Sequence, residues 1–269
     1  MMVKLNVLRA LPLLLVALAA APFTLQPQAL AGPPIAPPPA KETVYWQGTS
    51  AGHAIRWTNR DLTFAPGGFS LRKASLQEHS EMDAGCESAH TASLLSVVGP
   101  IVSRQEGRGG FCPGTAHPYA ERTMAAVDLS KGAKPASLEQ YFPSGQILSA
   151  LLADRIIQQA LSGEARPKTL GALIGALEGK MGPECAYGFS SDMLSRYAFH
   201  HVKGNRVAVR IGLSHGCEAN RGGLTQLGVY LPIPASLAAP LKAAATGKQG
   251  FLMERAPDQM TAFQYGQSK

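Results

Sequence analysis

Charged and aromatic residues are both scarce in this chain. Asp, Glu, Lys and Arg make up 16% of the 269 residues, and Phe, Trp and Tyr 7%. The Lys and Arg residues form no run, so a nucleic-acid partner is not expected. Long apolar runs are missing as well. Leu11 to Ala21 falls short of the roughly 20 residues that a membrane span needs, and Pro12 interrupts it. No later stretch is apolar enough, so no integral span is expected once the N-terminal segment is removed. The sequence holds no Gly-x-Ser-x-Gly elbow, no His-Glu-x-x-His, no phosphate loop and no dinucleotide glycine pattern. Without them no cofactor is expected and nothing positive argues for an enzyme. Carboxylate pairs for glycoside chemistry escape this exclusion, because they obey no spacing rule. No internal repeat is present.

What is there begins with an export signal. Residues 1–31 carry Lys4 and Arg9, then the apolar run, then Ala29-Leu30-Ala31 with small residues at the −3 and −1 positions. A periplasmic or secreted protein is expected. Residues 32–41, "GPPIAPPPAK", form a Pro-rich linker with little to bury. Residues 42–250 follow as a single domain, with room for a subdivision near 88–92, and 251–269 as a tail without a pattern. Roughly 225 residues after the linker suffice for one large or two small cores. The signal contains no acidic residue, so its removal lowers the formal net charge from +7 to +5. A mildly basic exported protein favours anionic surfaces such as cell-wall polymers or lipid headgroups.

Four cysteines, Cys86, Cys112, Cys185 and Cys217, lie beyond the signal. None are two to four residues apart, which disfavours a zinc knuckle. An even number in an oxidising compartment reads as two disulfides. Three connectivities are open. The sequential one, Cys86–Cys112 with Cys185–Cys217, closes two loops of moderate length. On the chain-entropy model a bridge of that span stabilises by roughly 3–4 kcal/mol.

Along the chain, Val44 to Asn59 reads as two strands about a Gly-Thr-Ser-Ala-Gly turn. Apolar residues after Arg60 are broken by Pro66-Gly67-Gly68. Ala92 to Gln105 is a strand with Gly99-Pro100 in its middle, so it lies at an edge, bulges or breaks there. "QEGRGGFCPG" reads as a glycine-rich connection, and Glu121 to Leu129 as the next strand. Ser144 to Gly163 places Ile147, Leu148, Leu151, Leu152 and Ile156 at helical steps, with Ser144 as N-cap. Thr169 to Lys180 repeats the pattern with Leu170, Leu173, Ile174 and Leu177. Arg196 to His215 reads as a hairpin turning at Lys203-Gly204-Asn205-Arg206, its second arm alternating like a half-buried strand. Thr225 to Ile233 alternates again, and a proline-interrupted helix follows. Segregated blocks of this kind indicate an α+β fold: a largely antiparallel sheet covered by two helices and stapled by disulfides.

Three places carry candidate chemistry. His117 has Cys112, Glu121 and Asp128 nearby in sequence, but Cys112 is expected to be oxidised and Asp128 lies across a whole strand. The residue before Pro118 is driven to extended geometry, so His117 is expected to set a sheet corner and bond loop backbone. His200 and His201 look like a ligand pair, yet strand neighbours point to opposite faces, which argues against one shared ion. Ser214 to Gly223, "SHGCEANRGG", is denser, with His215, Cys217, Glu218 and Arg221 between two predicted strands. It reads as a metal or redox site if the thiol is free, and as a disulfide-pinned crossing between strands otherwise.

The segment "GTAHPYAERTMAAVDLSKGAKPASLEQYF" resembles the central signature of the RsiV-type extracellular domain, found in lysozyme-sensing anti-sigma factors and beside some peptidoglycan deacetylase domains. The corner falls on Gly114, His117 and Pro118, with Thr115 in place of a glycine. The strand end falls on Asp128, and the entry to the helix on Phe142. The resemblance spans roughly residues 92–241. It implies an α+β module that binds rather than catalyses, with peptidoglycan or a cell-wall-acting protein as partner. Lysozymes are typically basic and so is this chain, so steering between the two would be repulsive. The alternative is a periplasmic hydrolase or metalloenzyme using His215, Glu218 and His117.

Overall fold

Gly99-Pro100 organises the centre of the molecule. A computed structural model describes residues 41–81 and 85–266; the expected signal, the linker up to Ala40 and the last three residues lie outside them. Before the centre come β1 (Val44–Ser50), β2 (His53–Thr58), β3 (Leu62–Ala65) and β4 (Phe69–Ser70), one antiparallel sheet in chain order. The β1–β2 turn falls at Ala51-Gly52, inside the expected turn. Helix α1 (Leu71–Glu81) follows, which the sequence did not predict. Its start is organised by Asp61, which accepts from Ser70 Oγ (2.6 Å) and Arg72 N (3.0 Å), while Ser70 Oγ caps Lys73 N (3.1 Å). Only Leu71 and Ser75 of α1 are buried, so it shows no apolar stripe.

Strands β5 (Glu87–Val98) and β6 (Ile101–Phe111) form a hairpin whose turn is Gly99-Pro100, with Val98 opposite Ile101. The chain breaks there, as one of the three expectations had it, and neither arm is an edge strand. Strand β6 also runs through the glycine-rich segment expected to be a connection. The glycines are there for close approach. A Cβ on Gly110 would collide with the Glu87 carbonyl and sit 2.7 Å from the Tyr119 ring, and one on Gly107 would collide with Thr91 Oγ1. Next come β7 (Tyr119–Asp128) and the short β8 (Lys134–Pro135).

The long helix expected from Ser144 to Gly163 is two: α2 (Ser144–Leu152) and α3 (Arg155–Ala160). Asp154 divides them, because its extended backbone and its carboxylate, accepting from Ile156 N at 2.8 Å, start a new helix. Ser144 is the first helical residue rather than the cap. Helix α4 (Leu170–Leu177) is capped by Thr169, whose hydroxyl accepts from Ala172 N at 3.1 Å. Strands β9 (Tyr197–Lys203), β10 (Arg206–Ser214) and β11 (Leu224–Pro232) form an antiparallel sheet in the order β11-β10-β9, turning at Gly204-Asn205. Helix α5 (Ala235–Ala245) contains Pro240. The tail expected to lack a pattern supplies β12 (Thr261–Tyr265), which pairs with β5, so the order of the central sheet is β12-β5-β6-β7-β8.

Among the described residues the fold is α+β, with three antiparallel sheets where one was expected, and no helix is long and apolar enough to cross a membrane. Ile147, Leu151, Leu173 and Leu177 of α2 and α4 pack with Val207, Val209 and Ile211 of β10 and with Leu227 and Leu231 of β11. Side chains of this kind stabilise by about 1.5–3 kcal/mol each when fully buried. The opposite face of β10 is covered too, which corrects the half-buried reading. Ala198 packs with Leu95 and Met124 of the central sheet, and a Cβ on Gly212 would lie 2.9 Å from Met124 Cγ and Sδ. The central sheet's other face packs Leu94, Val97, Val102 and Val127 against Ile55, Trp57, Leu62 and Phe64. Trp57 Nε1 donates to Thr261 Oγ1 at 3.0 Å and so ties the first sheet to β12.

Candidate functional site

The β6–β7 connection is bounded by a covalent anchor. Cys86, just before β5, is bridged to Cys112, just after β6. Beyond the bridge, Gly114 has φ +90°, and Thr115 N and Oγ1 both donate to Cys112 O, at 3.1 and 2.8 Å. His117 is exposed, and its Nδ1 lies 3.3 Å from Pro118 O, so the expected corner contact with loop backbone is present. Phe111 and Tyr119 flank the loop and are 43% and 37% exposed. Burial pushes the Tyr119 phenol upward, and Glu78 adds to the shift.

A second segment, 214–223, docks on this tip. Gly222 N donates to Ala120 O at 3.0 Å, extending the outer edge of β7 where β8 does not reach. The dock brings Glu218 Oε1 to 3.6 Å from His117 Nδ1 and 3.9 Å from Arg221 Nη1. His117 and Glu218 are each about half exposed, at 51% and 49%, so their attraction is weakened by solvent. His215, the third member of the expected group, is half-buried, and its Nδ1 has no hydrogen-bond partner.

The docked segment is fastened from behind by residues 182–188. Gly188 N donates to Ser214 O (2.9 Å), Gly216 N to Cys185 O (3.0 Å) and Asn220 Nδ2 to Glu184 O (2.5 Å). Only glycine fits at 216, since a Cβ would lie 2.7 Å from Tyr187 O and 2.9 Å from Cys185 O. Glu184 and Cys185 hold left-handed φ values of 52° and 54°, a conformation that non-glycine residues rarely adopt. Cys185 and Cys217, expected as the second bridge, are free thiols here, which corrects that pairing. The hydrogen bond to Cys217, then burial, raises the Cys185 pKa.

The remaining signature residues are structural. Asp128 is buried at 2% exposure and accepts from Ser130 N (2.9 Å), Ser130 Oγ (2.5 Å) and Tyr141 OH (2.7 Å), with Lys131 Nζ at 3.4 Å. Burial pushes its pKa up, but the hydrogen bonds outweigh burial and leave it below the usual carboxylate range. Burial, reinforced by Asp128, drives the Tyr141 phenol upward. Phe142 is buried beside Phe199.

Sequence reasoning dismissed one cluster that the structure assembles. Among the described residues, His200, His201 and Glu254 form a group whose ligand atoms all lie within 4.8 Å of one another, whereas His215, Cys217 and Glu218 form no such group. The alternation rule fails at this point because β9 bulges: Ala208 pairs with His201 and Val209 with Phe199, which leaves His200 unpaired. The histidine doublet itself was the only local signal. No family model, curated protein or solved structure matches the chain.

Proposed function

We propose that this chain is an exported, non-catalytic binding protein of the bacterial envelope. Its ligand is a cell-wall glycan or a protein that acts on one. The observation that carries this reading is the surface at the β6–β7 tip. His117, Glu218 and Arg221 meet there in the open, flanked by exposed Phe111 and Tyr119, on loops fixed by the Cys86–Cys112 bridge and by the 182–188 brace. Aromatic and charged groups held rigidly at a surface lose little entropy on binding a partner. The export signal, the tether and the RsiV-like segment 114–142 support the same reading. The test is co-sedimentation with purified peptidoglycan together with a pull-down from periplasm. Binding in either that drops at least tenfold in Tyr119→Ala with His117→Ala supports it. No affinity for peptidoglycan and no recovered partner would overturn it.

A second reading, a periplasmic hydrolase or metalloenzyme using His215, Glu218 and His117, is favoured by one observation, the 3.6 Å approach of His117 to Glu218. A histidine oriented by a carboxylate is the pairing general-base chemistry needs. Turnover of glycan or ester substrates that is abolished in Glu218→Gln would establish it in place of the first.

A further inference from the structure

We propose that His200, His201 and Glu254 bind one divalent transition-metal ion of the zinc class, at a place separate from the β6–β7 tip. The bulge in β9 is the device that makes this geometry available, because it turns two consecutive strand residues toward a common point. The two Nδ1 atoms are 2.8 Å apart. At that distance only one of them carries a proton, and it lies between them. A zinc ion bound to both at about 2.0–2.1 Å sets tetrahedral nitrogens roughly 3.3 Å apart. The nitrogens therefore need to separate by about half an ångström, and the rings, whose nitrogens now face each other at a centroid separation of 5.0 Å, must also tip toward a common point, while the shared proton leaves for an outer ring nitrogen. Glu254 supplies an oxygen from the turn Met253–Arg255 that follows α5, so the ion would clip that turn to β9. Two imidazoles and one carboxylate, with a position left for water, are the donor set of borderline ions rather than of calcium or magnesium.

The surroundings fit. His201 Nε2 lies 2.9 Å from Tyr230 OH, an outer partner that orients the ring as the second nitrogen of metal-bound histidines is oriented elsewhere. Burial, then Arg210 and His201, lowers the His200 pKa, against a smaller opposing effect of Glu254. Arg210, and Arg206 stacked 5.3 Å from the Tyr230 ring centroid, oppose a cation electrostatically, and Glu254 offsets them only in part.

The experiment uses the full chain, stripped with chelator, in a Cys185→Ser/Cys217→Ser background so that thiols cannot compete. Zinc is titrated calorimetrically and cobalt spectroscopically. One equivalent bound, with a tetrahedral cobalt spectrum, is expected. Glu254 is exposed on a turn, so Glu254→Gln should fold normally and lose at least tenfold in affinity. His201→Asn should lose binding altogether, and Tyr230→Phe should weaken it about tenfold with stoichiometry kept. Absence of saturable binding, or affinity unchanged in Glu254→Gln and His201→Asn, overturns the proposal. Binding seen in the parent chain but lost in the Cys185→Ser/Cys217→Ser background assigns the ion to Cys185 and Cys217 and overturns it equally.

Discussion

Removing the Cys86–Cys112 bridge tests how the central sheet is held. The two residues are 26 apart in sequence. The chain-entropy relation gives about 3.5 kcal/mol for a loop of that length. The structure indicates that the native state would change little in Cys86→Ser/Cys112→Ser. The β5–β6 ladder already runs out to Glu87 opposite Phe111, immediately inside the bridge, and Gly99-Pro100 closes its other end. The effect therefore falls on the unfolded chain, which regains the freedom of a whole hairpin. Equilibrium guanidinium unfolding should show the loss of about 3.5 kcal/mol together with a larger m-value, because the unbridged chain exposes more surface. For a domain of this size that corresponds to a fall in Tm of about 7–14 °C. Cys86 is itself buried at 2% exposure, so a serine hydroxyl there adds a local cost that Cys112→Ser alone does not carry. A loss below about 1 kcal/mol with an unchanged m-value would refute the reasoning, since it would mean that the unfolded chain keeps the hairpin closed without the sulfurs.

Four further outcomes are expected. Tyr141→Phe removes a hydrogen bond to a buried carboxylate and should cost about 1.5–3 kcal/mol. Because the Asp128 pKa is lowered on folding, its contribution is present above the unfolded carboxylate range and is lost as pH falls through the lower folded value. The acid side of a urea-midpoint profile should therefore flatten in Asp128→Asn, and an unchanged acid limb would contradict the assignment. Gly212→Ala should cost about 1–3 kcal/mol by driving a Cβ into Met124, and Met124→Ala in the same chain should recover part of that; additive costs in the double variant would exclude the contact. Oxidised glutathione should convert Cys185 and Cys217 to a disulfide by exchange, each bridge formed reducing one molecule of glutathione disulfide to two thiols. Non-reducing peptide mapping reads the linked peptides, and thiols that stay fully alkylatable after prolonged exposure would show that the two sulfurs do not meet.

The elements legible in the sequence are those whose causes are local. β10 and β11 could be read because their apolar alternation and the Lys203-Gly204-Asn205-Arg206 turn lie within one short stretch. Helix α4 could be read from its stripe and from Thr169. The second half of β6 could not. Its glycines look like a loop until Thr91, Glu87 and Tyr119 are seen pressing on them from neighbouring strands. Helix α1 was hidden for the opposite reason, since almost nothing on it is buried and its cap depends on Asp61, two strands earlier. β12 does alternate, with Thr261 and Phe263 buried between exposed Ala262 and Gln264, but the run is only five residues long and becomes a strand where β5 offers it an edge.

The same distinction separates the two clusters of candidate residues. That His117 and Glu218 belong together follows from Gly222 docking on Ala120, a long-range hydrogen bond with no trace in either segment. The His200–His201 doublet was visible, and the rule applied to it was sound for a regular strand. What brings the two rings to one side is one unpaired residue opposite Ala208 and Val209, a property of how β9 meets β10 rather than of either strand alone. In a regular register His200 and His201 would lie on opposite faces, and their nitrogens could not meet at 2.8 Å. The bulge spends one ladder position to bring them to the same side, where a turn from beyond α5 delivers Glu254. Adjacent histidines on a predicted strand are therefore a ligand pair or a coincidence according to the partner strand's register, and only pairing information decides between the two.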